Sequence, residues 1–328
     1  MTPGWGLVRA LLVTLATPTT WPLALGSFLV RGGIVLVALP ILVLPTPAGL
    51  GTALAPSISS IAFGTFPLAI AVVIGAIVAG VVTWLVAGGW AAALLEAEGT
   101  RIVASDEEVG DLRWPIVAAP AGRVASRIFV VRLLACLPLG VVLAVGSIRL
   151  VFVTYHELTA PLDVTTPIVL RVLRAAPEVV VAVGLAWMLA EIIGAIASRE
   201  ITLRGARAGH ALRHAIATLA RRPVKPVIDF VVPMIVVWVA LLCVDLATSA
   251  AWAAVGSVLG ERSDPIAILL AVGAFVGLWI VGLVLISVAC AWRAAVWTLA
   301  AVSGEGTFGR YPDRRPGHWQ PDDPSATL

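Results

Sequence analysis

The chain has 328 residues, of which 60% are hydrophobic and only 12% charged, against roughly a quarter charged in an average soluble domain. No charged side chain occurs from Gly32 to Leu95 or from Pro265 to Trp292, and apolar runs of that length read as membrane-spanning helices. This composition excludes a soluble globular protein, and a formal net charge of +3 is too small to point to nucleic acid as a partner.

The expected fold is an all-α integral membrane protein with six transmembrane helices and short interfacial amphipathic helices. Residues 5–17 form the first of these, with Trp5 and Arg9 suited to the headgroup region. Span one runs over Leu23–Val43, with Arg31 inside it and Pro40 near its far end. It is too long for a cleavable signal and is expected to stay as an anchor. An uncharged loop, 44–66, follows, with a surface helix starting at Pro56 or a re-entrant turn. Span two is Pro67–Leu95. Polar residues then begin at Glu96, and the short runs Arg101–Val103 and Trp114–Val117 predict a small hairpin around an acidic turn.

Span three is Arg127–Ser147 and span four Val179–Ser198. Between them Thr165-Thr166-Pro167 predicts a helix start, with threonine as cap and proline at the first position. That helix should lie on the membrane surface, with Arg171 and Arg174 on one side. Residues 199–225 hold seven basic side chains and a second amphipathic helix, followed by a hinge from Pro223 to Pro226. Span five is Pro226–Val244 and span six Ile266–Trp292. Residues 1–302 are thus one six-helix domain, and the polar stretch 303–328 is a disordered cytoplasmic tail.

Sixteen basic residues fall on the side of the termini, against Arg149, Arg171, Arg174 and Arg262 opposite. The positive-inside rule then places both termini in the cytoplasm, in a bacterial cytoplasmic membrane. The chain divides into three hairpins, 1–95, 96–200 and 201–302. Their first spans share Phe28-Leu-Val-Arg31, Phe129-Val-Val-Arg132 and Phe230-Val-Val-Pro233. Without gaps, Arg9 also falls on Arg213 and Pro22 on Pro226, the pattern of an internal repeat.

Ionisable groups inside spans are functional candidates by default. Arg31, Arg132 and Glu191 each lie roughly 12 Å from the cytoplasmic end at the helical rise per residue, which permits a buried cluster with Glu191 between the two arginines. One reading is a site for an anionic ligand or a coupling proton; the other is a structural ion pair, or arginines snorkelling to the interface. Asp229 and Asp245 read as boundary residues of span five, and Pro138 and Pro233 as kinks. Gly75-x-x-x-Ala79 and Gly273-x-x-x-Gly277 fit close helix packing.

His210 and His214 share a helix face but lack an acidic partner, so neither a metal nor any other cofactor is expected. Cys136, Cys243 and Cys290 read as small buried apolar residues. Arg213, Arg221, Arg222 and Lys225 are candidate contacts to anionic lipid, worth about 1 kcal/mol each near the surface. The partners expected are the bilayer and a protein docking on the cytoplasmic loops 96–127 and 199–225.

The plan of amphipathic lead-in followed by hairpin spans, over residues 5–300, resembles a group of uncharacterised bacterial polytopic membrane proteins. It includes the membrane domain that accompanies some glycerophosphodiester phosphodiesterases. Their catalytic domain has no counterpart here, so the resemblance implies a membrane module and not that activity. With no catalytic constellation in view, the expectation is a non-enzymatic scaffold or accessory component. The alternative is a permease or transporter subunit with an anionic or proton-coupled site in the cytoplasmic third.

Overall fold

Backbone N–H and C=O groups cannot stay unpaired in hydrocarbon, so each apolar run closes into a helix. A computed structural model of the chain describes residues 3–42, 46–62, 68–106, 121–160, 163–260 and 265–302. Among these residues there is no strand. Six helical segments are long and apolar enough to cross a membrane: Thr20–Ile41, Ile70–Ser105, Leu137–Thr159, Pro177–Arg204, Val224–Leu259 and Pro265–Val302. The protein is an all-α multi-pass membrane protein.

Helix α1 (Pro3–Ala16) leads into pass one, made of α2 (Thr20–Phe28), a π-helical turn Leu29–Gly33, α3 (Ile34–Ala38) and a 3₁₀ turn Leu39–Ile41. After α4 (Pro47–Ala62), pass two consists of α5 (Leu68–Thr83), a second π turn Trp84–Gly88 and α6 (Gly89–Asp106). Pass three is α7 (Ala121–Ala135) and α8 (Leu137–Thr159), broken at Cys136 where Pro138 enters the first turn of α8. The short α9 (Ile168–Ala175) precedes pass four, α10 (Pro177–Arg204). Helix α11 (Ala208–Arg221) leads into pass five, α12 (Val224–Gly260), and α13 (Pro265–Val302) completes the bundle. The end where α2 begins, and where α6, α10 and α13 finish, is called the basic end below.

Several boundaries differ from those read in the sequence. Pass two does not stop at Leu95: α6 continues to Asp106, so Arg101–Val103 is helical and not one arm of a hairpin. The other arm, Trp114–Val117, lies outside the described residues, as do 107–120 of loop 96–127 and the tail from 303. The reason is a buried stripe of Ala93, Ala97, Thr100 and Ala104 that carries the helix through Glu96. Helices α12 and α13, of 37 and 38 residues, likewise run past Asp245 and Arg293, since a charge ends an apolar stretch without ending a helix. At the α-helical rise each is about 55 Å long, well beyond a hydrocarbon core of about 30 Å.

The cap pattern expected at Thr166-Pro167 occurs instead at Thr46-Pro47. There the Gly49 N–H donates to Thr46 Oγ1 at 3.2 Å and α4 starts nine residues before Pro56. Thr165 and Thr166 turn back to Asp163, and Pro167 itself is the cap residue of α9. Arg171 is not a surface residue: it is buried, pairs with Glu157 and donates to the Asp163 carbonyl, whereas Arg174 is exposed. The hydroxyls of Thr166 and Thr165, with their N–H groups, hold the Asp163 carboxyl below the usual carboxylate range.

Packing is concentrated toward the basic end. One core joins α6, α7, α10, α11, the start of α12 and the end of α13, around Ile128, Val131, Ile192, Ile196 and Trp297. The three second passes touch one another there, α6 with α10 and α13, and α10 with α13. Helix α1 lies on α13, where Trp292 Nε1 donates to the Leu7 carbonyl at 3.0 Å, and α11 lies on α10 and α7. Away from this core every residue from 71 to 87 is exposed, which costs nothing where the surroundings are lipid tails.

Small residues mediate the close approaches, but not those expected. A Cβ on Gly75, Gly273 or Gly277 would meet nothing within 4 Å. On Gly282 it would stand 2.5 Å from Val244, and on Gly89 2.8 Å from Phe129. Of the cysteines, only Cys290 is buried; Cys136 and Cys243 are exposed.

Candidate functional site

The charged residues of the spans converge near the basic end, and their hub is Glu96. Helix α6 carries its carboxylate inward, where Arg132 of α7 donates from Nε at 3.0 Å and Nη2 at 2.7 Å. Arg31, Arg199 and, at 2.7 Å, the Ser198 hydroxyl also donate to it. A second carboxylate, Glu191 of α10, accepts from Arg132 at 3.4 Å and from Arg293 of α13 at 2.5 Å. Four arginines thus surround two glutamates drawn from five passes, leaving a formal excess of two positive charges.

Each arginine is placed by local backbone. Arg31 sits in the π turn Leu29–Gly33, which ends through Gly32 at φ 104°, a conformation that favours glycine. The second π turn packs on the first, and a Cβ on Gly88 would lie 3.2 Å from the Val30 carbonyl oxygen. Arg132 lies flat on α10 because Gly194 has no side chain; a Cβ there would be 3.0 Å from its Nη1. Arg199 is the deepest, with its side chain 3% exposed, and donates to the Ala294 carbonyl at 3.4 Å. Arg293 stands 6.0 Å from the Phe230 ring centroid, within cation–π range. Phe230 meets Trp187 edge to face, with centroids 5.7 Å apart.

These side chains line a cavity of about 420 Å³, within the size range of small-molecule sites. All six charged residues border it, with Ser27, Thr100, Trp187, Trp238 and Trp297 among the rest. Two buried donors belonging to residues of its lining, Arg199 Nε and Trp297 Nε1, have no acceptor among the described residues. A buried N–H left without a partner costs about 1–3 kcal/mol, so an acceptor that reached either atom from the cavity would recover that energy. Chemically the arrangement suits an oxyanion: a cavity bordered by guanidiniums in surplus over the carboxylates that hold them.

Sequence reading brought three of these residues to one depth but joined them differently. Arg31 and Arg132 meet on Glu96, and Glu191 bridges Arg132 and Arg293 instead of the two expected arginines. On sequence alone Glu96, Arg199 and Arg293 fall in polar segments outside the spans. A signal for Arg199 exists: it lies eight residues after Glu191, two turns along one face of α10. Elsewhere, Arg213, Arg221 and Arg222 are exposed and Lys225 is half-buried on the basic end. His210 is exposed and His214 lies 3.4 Å from Glu200, and among the described residues no three metal-binding side chains converge. No family model, curated protein or solved structure gives a significant match to this chain.

Proposed function

We propose that the protein is a permease-type membrane protein that binds an anion in the cavity ringed by Arg31, Arg132, Arg199 and Arg293. The observation that carries this reading is the surplus of two guanidiniums over carboxylates around a cavity within the spans. Glu96 and Glu191 hold the arginines apart and in place, and the ligand's oxygen atoms take the donors that the carboxylates leave over. The anion is carried unchanged. By the distribution of basic residues the site opens in the cytoplasmic third, with both termini cytoplasmic. The exposed Arg213, Arg221 and Arg222 rest against anionic headgroups.

The test is binding of radiolabelled inorganic phosphate to the purified full chain in nanodiscs of zwitterionic lipid. Saturable, salt-sensitive binding is expected, weakened by at least about tenfold in Arg199→Gln, the loss of one charge-assisted hydrogen bond or more. Arg293→Gln, at a less buried position, should do the same with less risk to folding. Absence of saturable binding, or equal binding by folded variants, would leave the scaffold reading, which the alanine- and isoleucine-filled core at the basic end favours.

A further inference from the structure

The cavity has two chemically different ends. Beyond the charged band, away from the basic end, its walls are Leu36, Trp238, Leu241 and Cys290. The chain direction fixes this order. Pass one reaches Leu36 five residues after Arg31, and α13 passes Cys290 before Arg293. On α12, Met234 touches Arg293 at 3.6 Å, and Leu241 follows about 10 Å further along. No charged side chain faces this part of the lining.

Trp238 lines the cavity and is still 47% exposed, so it marks a mouth. Its neighbours Ile235, Val239 and Leu242 are each more than half exposed. It lies midway along the stretch between Asp229 and Asp245, which has no charge. The mouth therefore gives on to lipid tails at mid-membrane depth and not on to water. A compact, fully hydrated anion reaches the charged band from the basic end and not through this mouth, whereas an anion with an alkyl chain can lie across it.

We propose that the ligand is an amphiphilic anion, with its oxyanion head on Arg199 and Trp297 and one alkyl chain along Leu36, Trp238 and Leu241 toward the bilayer. This rests on the anion reading of the same site and adds the class of molecule. A neutral amphiphile does not satisfy the charged band, because the surplus guanidiniums there favour an acceptor that carries charge. The same chemistry belongs to a resident anionic lipid and to a diffusing single-chain anion.

The experiment compares radiolabelled decyl phosphate with radiolabelled inorganic phosphate, on the full chain in phosphatidylcholine nanodiscs. Leu36→Trp, which fills the apolar end from a half-buried position, is expected to weaken decyl phosphate by about tenfold, the effect of displacing roughly two methylenes, and to leave inorganic phosphate unchanged. Trp238→Ala should give the same split without adding bulk, and decyl maltoside should not compete. Equal effects of both variants on the two anions, or competition by decyl maltoside, overturn the amphiphile while the anion site stands. Failure of both anions to bind wild type overturns the anion reading as well. Adding phosphatidylglycerol to the discs separates the sources: displacement of decyl phosphate identifies a resident lipid, and none identifies a diffusing anion.

Discussion

Glu96→Gln tests whether the buried charges hold the bundle together. The substitution keeps the shape of the side chain and removes the charge that Arg31, Arg132 and Arg199 share. Glutamine offers one carbonyl oxygen where the carboxylate accepted from three guanidiniums and the Ser198 hydroxyl, and its amide group faces donors. Glu191 would remain alone among four arginines. Breaking a buried ion pair by removing one partner costs about 3–5 kcal/mol. Arg31, with its side chain 26% exposed, can turn outward, but Arg199 cannot.

The control is Glu98→Gln, whose side chain is 53% exposed and 3.7 Å from Arg101; an exposed pair of this kind contributes about 0–1 kcal/mol. Reversible unfolding in mixed dodecyl sulfate and maltoside micelles, followed by far-ultraviolet circular dichroism, measures both. Adding Arg199→Met to Glu96→Gln should cost less than the two single changes together, by about 0.5–3 kcal/mol, since an uncompensated cation is then removed. If Glu96→Gln and Glu98→Gln lose the same stability, the network contributes nothing to folding and this reasoning is wrong.

Three further outcomes follow from local geometry. Gly282→Ala should destabilise by about 1–3 kcal/mol through overpacking, because its Cβ would stand 2.5 Å from Val244, whereas Gly273→Ala meets nothing; equal unfolding midpoints for the two would refute the α12–α13 contact. Gly32→Ala places a side chain at φ 104° and should cost about 1–3 kcal/mol, read by the same unfolding assay; a neutral result would mean that the π turn is not held as described. The Asp163 carboxyl is held low by Thr166 and Thr165, so its contribution is complete above the unfolded value of about 3.9 and is lost as pH falls through the lower folded value. Hydrogen exchange at the Thr165 and Thr166 amides, corrected for intrinsic rate, should therefore show extra opening only below about pH 4; a step near neutrality would contradict the assignment.

The membrane class and the six passes were legible because hydrocarbon imposes one rule on every span, and uncharged stretches such as Gly32–Leu95 follow it. The ends of the spans were not, because a helix continues as long as one face is buried, and hydropathy does not see faces. Glu96 is the clearest case: it closes an uncharged run, yet Ala93, Ala97 and Thr100 keep it inside the bundle. Equal depth brought Arg31, Arg132 and Glu191 together, but depth along a span carries no information about azimuth. Which carboxylate each arginine meets depends on the kink at Gly32 in Leu29–Gly33 and on the π turn Trp84–Gly88, each of which rotates the helix that follows. Glycine spacing misled for the same reason, since Gly273 and Gly277 point away from every other helix while Gly282 does not.

Whether the cluster is structure or site turns on its stoichiometry. A purely structural ion network in a low-dielectric interior gains most when charges balance and every donor is taken, because each uncompensated ion carries its desolvation cost alone. Here four guanidiniums face only two carboxylates, and among the described residues neither the Nε of Arg199, the most buried of the four, nor Trp297 Nε1 has a partner. A third carboxylate would bring the network nearer to balance, and among the described residues the cavity lining carries none beyond Glu96 and Glu191. The same chain spends a glycine, Gly194, to let Arg132 lie against α10, so the guanidiniums are positioned with care and left in surplus. Surplus charge, orphan donors and a cavity at one place are what a site for an anion requires, and a balanced clamp would have none of the three.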